Sequence, residues 1–189
     1  MSAARRIEGY AIVSADGHIA DHNAHMPDSL KNDEDQRFLD AALDQADLLV
    51  HGRHSHEGHE SSEHRRRLVV TRSVPAIMPD PVTPKSIFWN PAGATFQAAC
   101  AAHGLDGGFV AILGGPEVYS LFLDIGYDCF HLSRSRRVSL PGGLPVFAHG
   151  RHGRSAEEAL RRAGLVARSE RTLDEANGVT VVDWRRVTP

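Results

Sequence analysis

The sequence predicts one α/β domain, residues 1–189, built on a central mixed, mostly parallel sheet with flanking helices. Short apolar runs alternate with segments of helical periodicity through the first two thirds of the chain, and this alternation favours parallel strands. The last two apolar runs follow each other through a short turn, which favours an antiparallel edge. The chain of 189 residues suits a single domain, and it contains no internal repeat or linker-like stretch.

Strands are predicted where apolar and β-branched residues cluster between turn residues. They cover residues 7–14, 48–51, 68–71, 86–89, 109–113, 129–133, 165–171 and 179–186. Residues 19–20 and 137–140 could extend the strands that precede them. Residues 21–31 are polar and irregular, and the five prolines between Pro75 and Pro91 exclude a long helix there.

Four helices are predicted from capping residues and apolar spacing. The first follows Asn32, a good N-cap, carries three acidic residues in its first turn and ends at Asp47. The others cover residues 95–103, 116–125 and 156–163, and Gly104 and Gly164 end two of them.

Composition narrows the class of protein. A net charge of −3 argues against a nucleic-acid binder, and no run approaches the length of a membrane span. The N-terminal residues lack the apolar region of a signal peptide, and the two cysteines, Cys100 and Cys129, have no metal-ligand spacing. We therefore expect a cytoplasmic protein with buried free thiols.

Two predicted strands run directly into glycine turns. Residues 109–113 lead into Gly114-Gly115-Pro116-Glu117-Val118-Tyr119, and residues 48–51 lead into Gly52-Arg53-His54-Ser55. A glycine turn before a helix exposes backbone N–H groups at the positive end of the helix dipole, which suits a phosphate. Two such turns in one sheet could hold two parts of one nucleotide cofactor.

A third polar segment, Thr71-Arg72-Ser73, follows the strand at residues 68–71. Open α/β sheets place ligands at the carboxyl ends of their strands. A guanidinium flanked by two hydroxyl groups suits a phosphate monoester, because the guanidinium fork can bind two oxygens at once. Ordinary polar flanks of a strand are the alternative interpretation.

Taken in order, these segments resemble the dihydrofolate reductase-like family, and within it the reductase domain of bacterial riboflavin biosynthesis. The resemblance covers nearly the whole chain. It depends on residues 14–20 (SADGHIA), 47–57, 69–73 (VVTRS), 112–119 (ILGGPEVY) and 144–147 (LPVF).

The resemblance implies a three-layer fold, NADPH as cofactor, and hydride transfer to a small pterin-like or ribosylaminopyrimidine-like substrate. It also implies a homodimer. It assigns the cofactor contacts to Ala15, Gly52, Arg53, His54, Ser55, Thr71, Arg72, Ser73, Gly114, Gly115, Pro116, Glu117, Val118 and Tyr119. The Thr71–Ser73 segment would hold the ribose 2′-phosphate and select NADPH over NADH.

Two carboxylates are candidates for the chemistry. Asp16 lies in the loop that, by resemblance, covers the nicotinamide, although Asp16-Gly17 is also an ordinary turn pair. Glu34 lies in the first turn of the first helix, four residues before Phe38, where related folate reductases carry a substrate-binding acid. An acidic first turn also stabilises any helix, so both interpretations of Glu34 stay open.

No metal site is predicted. Five histidines lie between His51 and His64, but they show no helical pair with a carboxylate ligand. Two other functions remain open: a non-catalytic nucleotide-binding protein that keeps the turns without the chemistry, and an enzyme that uses a flavin.

Overall fold

The computed structural model describes residues 4–53, 64–148 and 154–187. Its strands are Arg5–Val13 (β1), His18–Ala20 (β2), Leu48–Gly52 (β3), Arg67–Val70 (β4), Ile77–Pro79 (β5), Ser86–Trp89 (β6), Gly108–Gly114 (β7), Cys129–Ser135 (β8), Leu144–Pro145 (β9), Leu165–Asp174 (β10) and Val179–Arg186 (β11). Its helices are Asp33–Leu43 (α1), Phe96–Ala102 (α2), Pro116–Ile125 (α3) and Ala156–Arg162 (α4), with a 3-10 turn at Asp28–Leu30.

Nine of these strands form one sheet in the order β10-β11-β8-β1-β7-β3-β4-β6-β5. The central pairs, from β8 through β1, β7, β3 and β4 to β6, are parallel. The two edges are antiparallel, with β10 and β11 at one end and β5 at the other. The sheet is therefore mixed and mostly parallel, as the sequence predicts.

Helices cover both faces of the sheet, which makes three layers. On one face α1 packs its apolar stripe, Phe38, Leu39 and Leu43, against Tyr10 and Phe109. On the other face α2, α3 and α4 bury a larger core that includes Trp89, Phe96, Phe122, Phe130 and Leu160. Side chains alternate across each strand, so successive β1 residues point to opposite faces of the sheet. A third, smaller cluster joins Ile12 of β1 to Leu30 and Val179.

The structure corrects the predicted elements in three places. Residues 137–140 do not extend β8, because the chain turns at Arg136 and Arg137. The first helix ends at Leu43, before the predicted end at Asp47, and the Asp47 carboxylate accepts a hydrogen bond from the Phe109 N–H at 2.8 Å. The short strands β5 and β9 were not predicted, and β9 pairs with β2 in a separate two-stranded sheet.

Candidate functional site

The two glycine turns lie side by side. Strands β3 and β7 are parallel neighbours, and His51 pairs with Gly114 at their carboxyl ends. A Cβ atom placed on Gly52 would lie 3.8 Å from the Gly114 carbonyl oxygen and 3.9 Å from the Gly115 nitrogen. Since these are contact distances, the space between the two turns stays open only while position 52 has no side chain.

The second turn continues into α3 with Pro116 at its first position. The peptide between Gly114 and Gly115 is cis, and Gly114 has a φ of +98°. Tyr119, one turn into the helix, packs its ring against Gly114, and its hydroxyl donates a hydrogen bond to the Tyr10 carbonyl. Backbone N–H groups in the first turn of a helix have no partner within the helix, so they face the space beside the turns.

Two arginines stand beside these turns. Arg53 follows β3 and Arg72 follows β4, and both are exposed to solvent. Across residues 4–53, 64–148 and 154–187, neither guanidinium forms an ion pair. Next to Arg72, the Thr71 and Ser73 hydroxyls lie 2.9 Å apart, and the Ser73 N–H donates to the Thr71 hydroxyl. This edge of the sheet therefore presents two cations and two hydroxyls.

A single cleft of about 1300 Å³ runs between these groups and α1. We call its two sides the glycine-turn wall and the α1 wall. Of the residues assigned to the cofactor from the sequence, nine line the glycine-turn wall: Gly52, Arg53, Thr71, Arg72, Gly115, Pro116, Glu117, Val118 and Tyr119. The α1 wall contains Ile12, Asp35, Phe38, Leu39 and Ser133 together with Tyr10 and His131.

The remaining assigned residues lie elsewhere. Gly114 lies just behind the turn, and Ser73 contacts the cleft residue Thr71. Ala15 is exposed and does not line the cleft; its N–H donates to the Val138 carbonyl at 2.7 Å. His54 and Ser55 lie outside the described residues.

Asp35 is the carboxyl group that faces the cleft from α1. Burial raises its pKa, and a hydrogen bond with the Ser133 side chain partly offsets that shift. A carboxyl group whose pKa is raised keeps its proton to a higher pH than an ordinary aspartate and can exchange it with a ligand. The resemblance implies this role for its neighbour Glu34, with helix stabilisation as the alternative.

Glu34 points away from the cleft, into a smaller polar cavity of about 340 Å³ on the other side of α1. Its carboxylate pairs with Arg37, one turn further along the helix. The signal that separates the two acids is present in the sequence. Asp35 lies three and four residues before Phe38 and Leu39, which places it on the apolar stripe of the helix, whereas Glu34 is rotated by about 100° from it.

Asp16 also lies outside the cleft, and its carboxylate accepts hydrogen bonds from its own loop and from residues 139 and 140. It accepts hydrogen bonds from the Ser14 and Ser139 hydroxyls and from the Leu140 N–H at 2.9 Å. These bonds fasten the loop after β1 to residues 138–140. Ile19 and Ala20, which follow this loop, line the cleft. The geometry therefore gives Asp16 a role in holding this loop.

His131 forms the floor of the cleft with Tyr10, whose ring stacks on the imidazole at 4.6 Å. Its two ring nitrogens face the Asp183 carboxylate at 2.8 Å and the Glu8 carboxylate at 3.1 Å. Two carboxylate acceptors require both nitrogens to carry a proton. Burial alone would lower the pKa of His131, but its hydrogen bonds to Cys129, Glu8 and Asp183 raise it to about 10.

This raised pKa predicts a loss of stability in alkali. The pKa of the imidazole rises from an ordinary 6.5 to about 10 in the folded chain, so its contribution is complete below about pH 6.5 and disappears as the pH rises to about 10. The difference in unfolding free energy between the natural protein and His131→Gln should shrink by roughly 5 kcal/mol over that range. Urea unfolding of both proteins at several pH values measures this difference. A constant difference would show that His131 is neutral in the folded protein.

The described part of the chain contains neither a metal-binding cluster nor a helix that could span a membrane. Among residues 4–53, 64–148 and 154–187, no three His, Cys, Asp or Glu side chains are grouped so that they could hold a metal ion. Within the same ranges, none of the helices has the length and apolarity needed to cross a membrane.

Comparison with solved structures identifies the fold. A protein of Shewanella sp. PV-4 assigned to riboflavin biosynthesis superposes with a TM-score of 0.65 at 19% identity, over 97% of this chain and 99% of the other. A pyrimidine reductase-like protein of Corynebacterium diphtheriae gives 0.66 at 14% identity, over 98% and 93%. Dihydrofolate reductase of Enterococcus faecalis, solved with NADP(H), gives 0.62 at 15% identity, over 96% of each chain.

The chain therefore has the three-layer dihydrofolate reductase-like fold. The resemblance seen in the sequence is confirmed at the level of the fold. The amino-acid sequence matches no family model and no curated protein.

Proposed function

We propose that this protein is an NADPH-dependent reductase that transfers a hydride to a small nitrogen heterocycle. The observation that carries the proposal is the shared cleft, in which the paired glycine turns on one wall face the Asp35 carboxyl group on the other. Pterins and ribosylaminopyrimidines are the substrate classes we favour. The similar structures include proteins described as a dihydrofolate reductase and as pyrimidine reductase-like.

The glycine-turn wall fits a dinucleotide phosphate. Gly52 leaves backbone exposed where a side chain would fill the gap beside Gly114 and Gly115, so a pyrophosphate could approach the free N–H groups at the start of α3. Arg72, with the Thr71 and Ser73 hydroxyls, suits the ribose 2′-phosphate. Arg53 adds a second cation, and His54 and Ser55 belong to the same proposed set.

The α1 wall supplies orientation and a proton. When NADPH is bound, the hydride for an electrophilic carbon of the substrate would come from its nicotinamide ring. Asp35 binds the ring nitrogens of the substrate and holds the proton that the reduced product requires, and Ser133 orients the carboxyl group. Ile12, Phe38 and Leu39 exclude water around it, which strengthens that hydrogen bond.

Removing the Arg72 guanidinium should weaken the binding of NADPH more than that of NADH. We expect Arg72→Ala to raise the Kd for NADPH about tenfold or more, because one charge-assisted contact is lost, and to leave the Kd for NADH nearly unchanged. Titration of both dinucleotides, followed by the fluorescence of the reduced nicotinamide, measures this difference. Arg168→Ala on the exposed edge strand β10 is the control, since it removes the same charge away from the cleft. Equal affinity of the natural protein for the two dinucleotides would contradict the role of Arg72.

Turnover is tested by NADPH oxidation with dihydrofolate and with a ribosylaminopyrimidine phosphate. Oxidation with either compound supports the reductase proposal. Cofactor binding without turnover on a wider set of pterins and pyrimidines would favour a non-catalytic nucleotide-binding protein. A yellow purified protein with a flavin absorption spectrum would favour the flavin-using alternative.

A further inference from the structure

The start of α1 is tied to the far edge of the sheet by the side chain of Asn32. Asn32, the N-cap of the helix, accepts hydrogen bonds at its Oδ1 from the N–H groups of Glu34 and Asp35, both at 3.1 Å. Its Nδ2 donates to the Asp174 carboxylate at 2.8 Å. Asp174 is the last residue of β10, 142 positions further along the chain. A single amide group therefore joins the backbone of Asp35 to the β10–β11 hairpin.

The Asp174 carboxylate determines which way the Asn32 amide faces. A carboxylate accepts hydrogen bonds only, so it must receive the NH₂ group of Asn32. The Asn32 oxygen is thereby turned toward the helix, where the two N–H groups need an acceptor. If Asp174 were absent, the amide could rotate and present its NH₂ group to those donors, and the cap would be lost.

Asp174 is itself held in place by the turn that follows it. Asn177 donates to it twice, from its backbone N–H at 3.0 Å and from its side-chain amide at 2.6 Å. The hydrogen bonds from Asn177 and Asn32 lower the pKa of Asp174 to about 2. The Asp174 carboxylate is therefore ionised over the whole pH range in which an enzyme would work. The hydrogen bond between Asn32 and Asp174 does not titrate together with Asp35.

We propose that Asp174 and Asn32 are positioning residues for Asp35, acting through the N-cap of α1 to hold its carboxyl group in the cleft against Ser133. The inference rests on the proposed function, because it takes Asp35 to be the residue that serves the substrate. The hairpin lies beside the cleft and does not line it. The β10–β11 hairpin therefore helps to place Asp35 and does not affect the glycine-turn wall.

The pKa of Asp35 reports this placement in the free protein. Burial keeps that pKa high, so a first turn that loosens and admits water should let it fall toward the ordinary aspartate value. Tyr119 lies close enough to feel the charge of Asp35, and His131 lines the same cleft. Both residues are kept in every variant of the test, so their influence on the pKa is constant.

The experiment follows the side-chain ¹³C signal of Asp35 by NMR titration of the full chain, with the signal assigned by its loss in Asp35→Asn. Asp174→Ala and Asn32→Ala should each lower the pKa of Asp35 by about one pH unit. The double variant Asn32→Asp with Asp174→Asn exchanges donor and acceptor, since the new carboxylate can cap the helix and the new amide can donate to it. The Asn177 amide, which donates to the same Asp174 oxygen as Asn32 does, accommodates the exchange by turning its own oxygen toward the new NH₂ group. We expect this exchange to return the pKa of Asp35 to its natural value or slightly above it.

The control is Ser155→Ala, which removes the N-cap hydrogen bond of α4 on the opposite face of the sheet. It should lower the stability and leave the pKa of Asp35 unchanged. If Asp174→Ala behaves like this control, or if the exchanged pair does not restore the pKa, the positioning role is wrong. Because the titration needs neither NADPH nor a substrate, its outcome is independent of whether the reductase activity is found.

Discussion

Replacing Asp35 with asparagine should lower kcat/KM for NADPH-dependent reduction by roughly a hundredfold or more, because the variant can neither hold nor deliver a proton. The glycine-turn wall is untouched by this change, so the Kd for NADPH should stay the same. The assay uses whichever of dihydrofolate and ribosylaminopyrimidine phosphate the natural protein accepts. Full activity of the variant would remove Asp35 from the mechanism.

Glu34→Gln is the matched control, since it makes the same chemical change one residue away on the other side of α1. Its kcat/KM should be nearly that of the natural protein. In the natural protein, kcat/KM should be highest when Asp35 is protonated and should fall as the pH rises through its raised pKa. The Asp35→Asn variant should lose this dependence on pH.

Asp35→Asn should also make the protein more stable at neutral pH. Burial raises the pKa of Asp35 in the folded state, so the ionised carboxylate destabilises the fold above that pKa. Asp35→Asn should therefore gain stability relative to the natural protein as the pH rises. This gain should vanish below the pKa of an unfolded aspartate. Thermal unfolding at acid and neutral pH measures both values. Opposite effects on activity and stability are typical of a catalytic group.

The second large effect is expected at Gly114. A Cβ atom at this position would lie 2.6 Å from the Tyr119 ring, and the backbone has a φ of +98°. Tyr119 cannot move aside easily, because it is buried and its hydroxyl is bonded to the Tyr10 carbonyl. We expect Gly114→Ala to lower the unfolding free energy by about 3 kcal/mol, from the sum of the steric overlap and the unfavourable backbone conformation.

Gly164→Ala separates these two contributions. Gly164 has a φ of +83°, but no atom lies within 4 Å of its virtual Cβ, so only the backbone term of about 1 kcal/mol applies. Urea unfolding of the two variants compares them directly. Equal losses would mean that Tyr119 yields to the new methyl group. In that case the junction between β7 and α3 is softer than the structure indicates.

Several elements of this fold could be predicted from the sequence because they carry a clear apolar pattern. Strands β6 and β11 and helix α3 have the bounds that the pattern indicates. The pairs β2–β9 and β5–β6 could not be predicted in the same way. Their shorter members have only two or three residues, and they are strands only because a distant segment lies beside them.

In the candidate site, the glycine-turn wall could be predicted from the sequence more readily than the α1 wall. The glycine turns belong to strand ends, and parallel strands bring their carboxyl ends to one edge, so their meeting could be anticipated from local signals. The α1 wall required a choice among three consecutive acids, Asp33, Glu34 and Asp35. The deciding fact was the direction of each side chain relative to the apolar stripe. Ser133 carries no local signal, because only the packing of α1 on β8 brings it to Asp35.

The two walls of the cleft are built from different elements of the chain. One eleven-residue helix, α1, carries Asp35, Phe38 and Leu39, whereas the glycine turns come from the sheet and α3. Randomising the cleft-facing positions of α1 would give a library whose members keep identical glycine turns and differ in the surface they offer to incoming compounds. Selection from such a library could change which compounds the cleft binds and leave the glycine-turn wall unchanged.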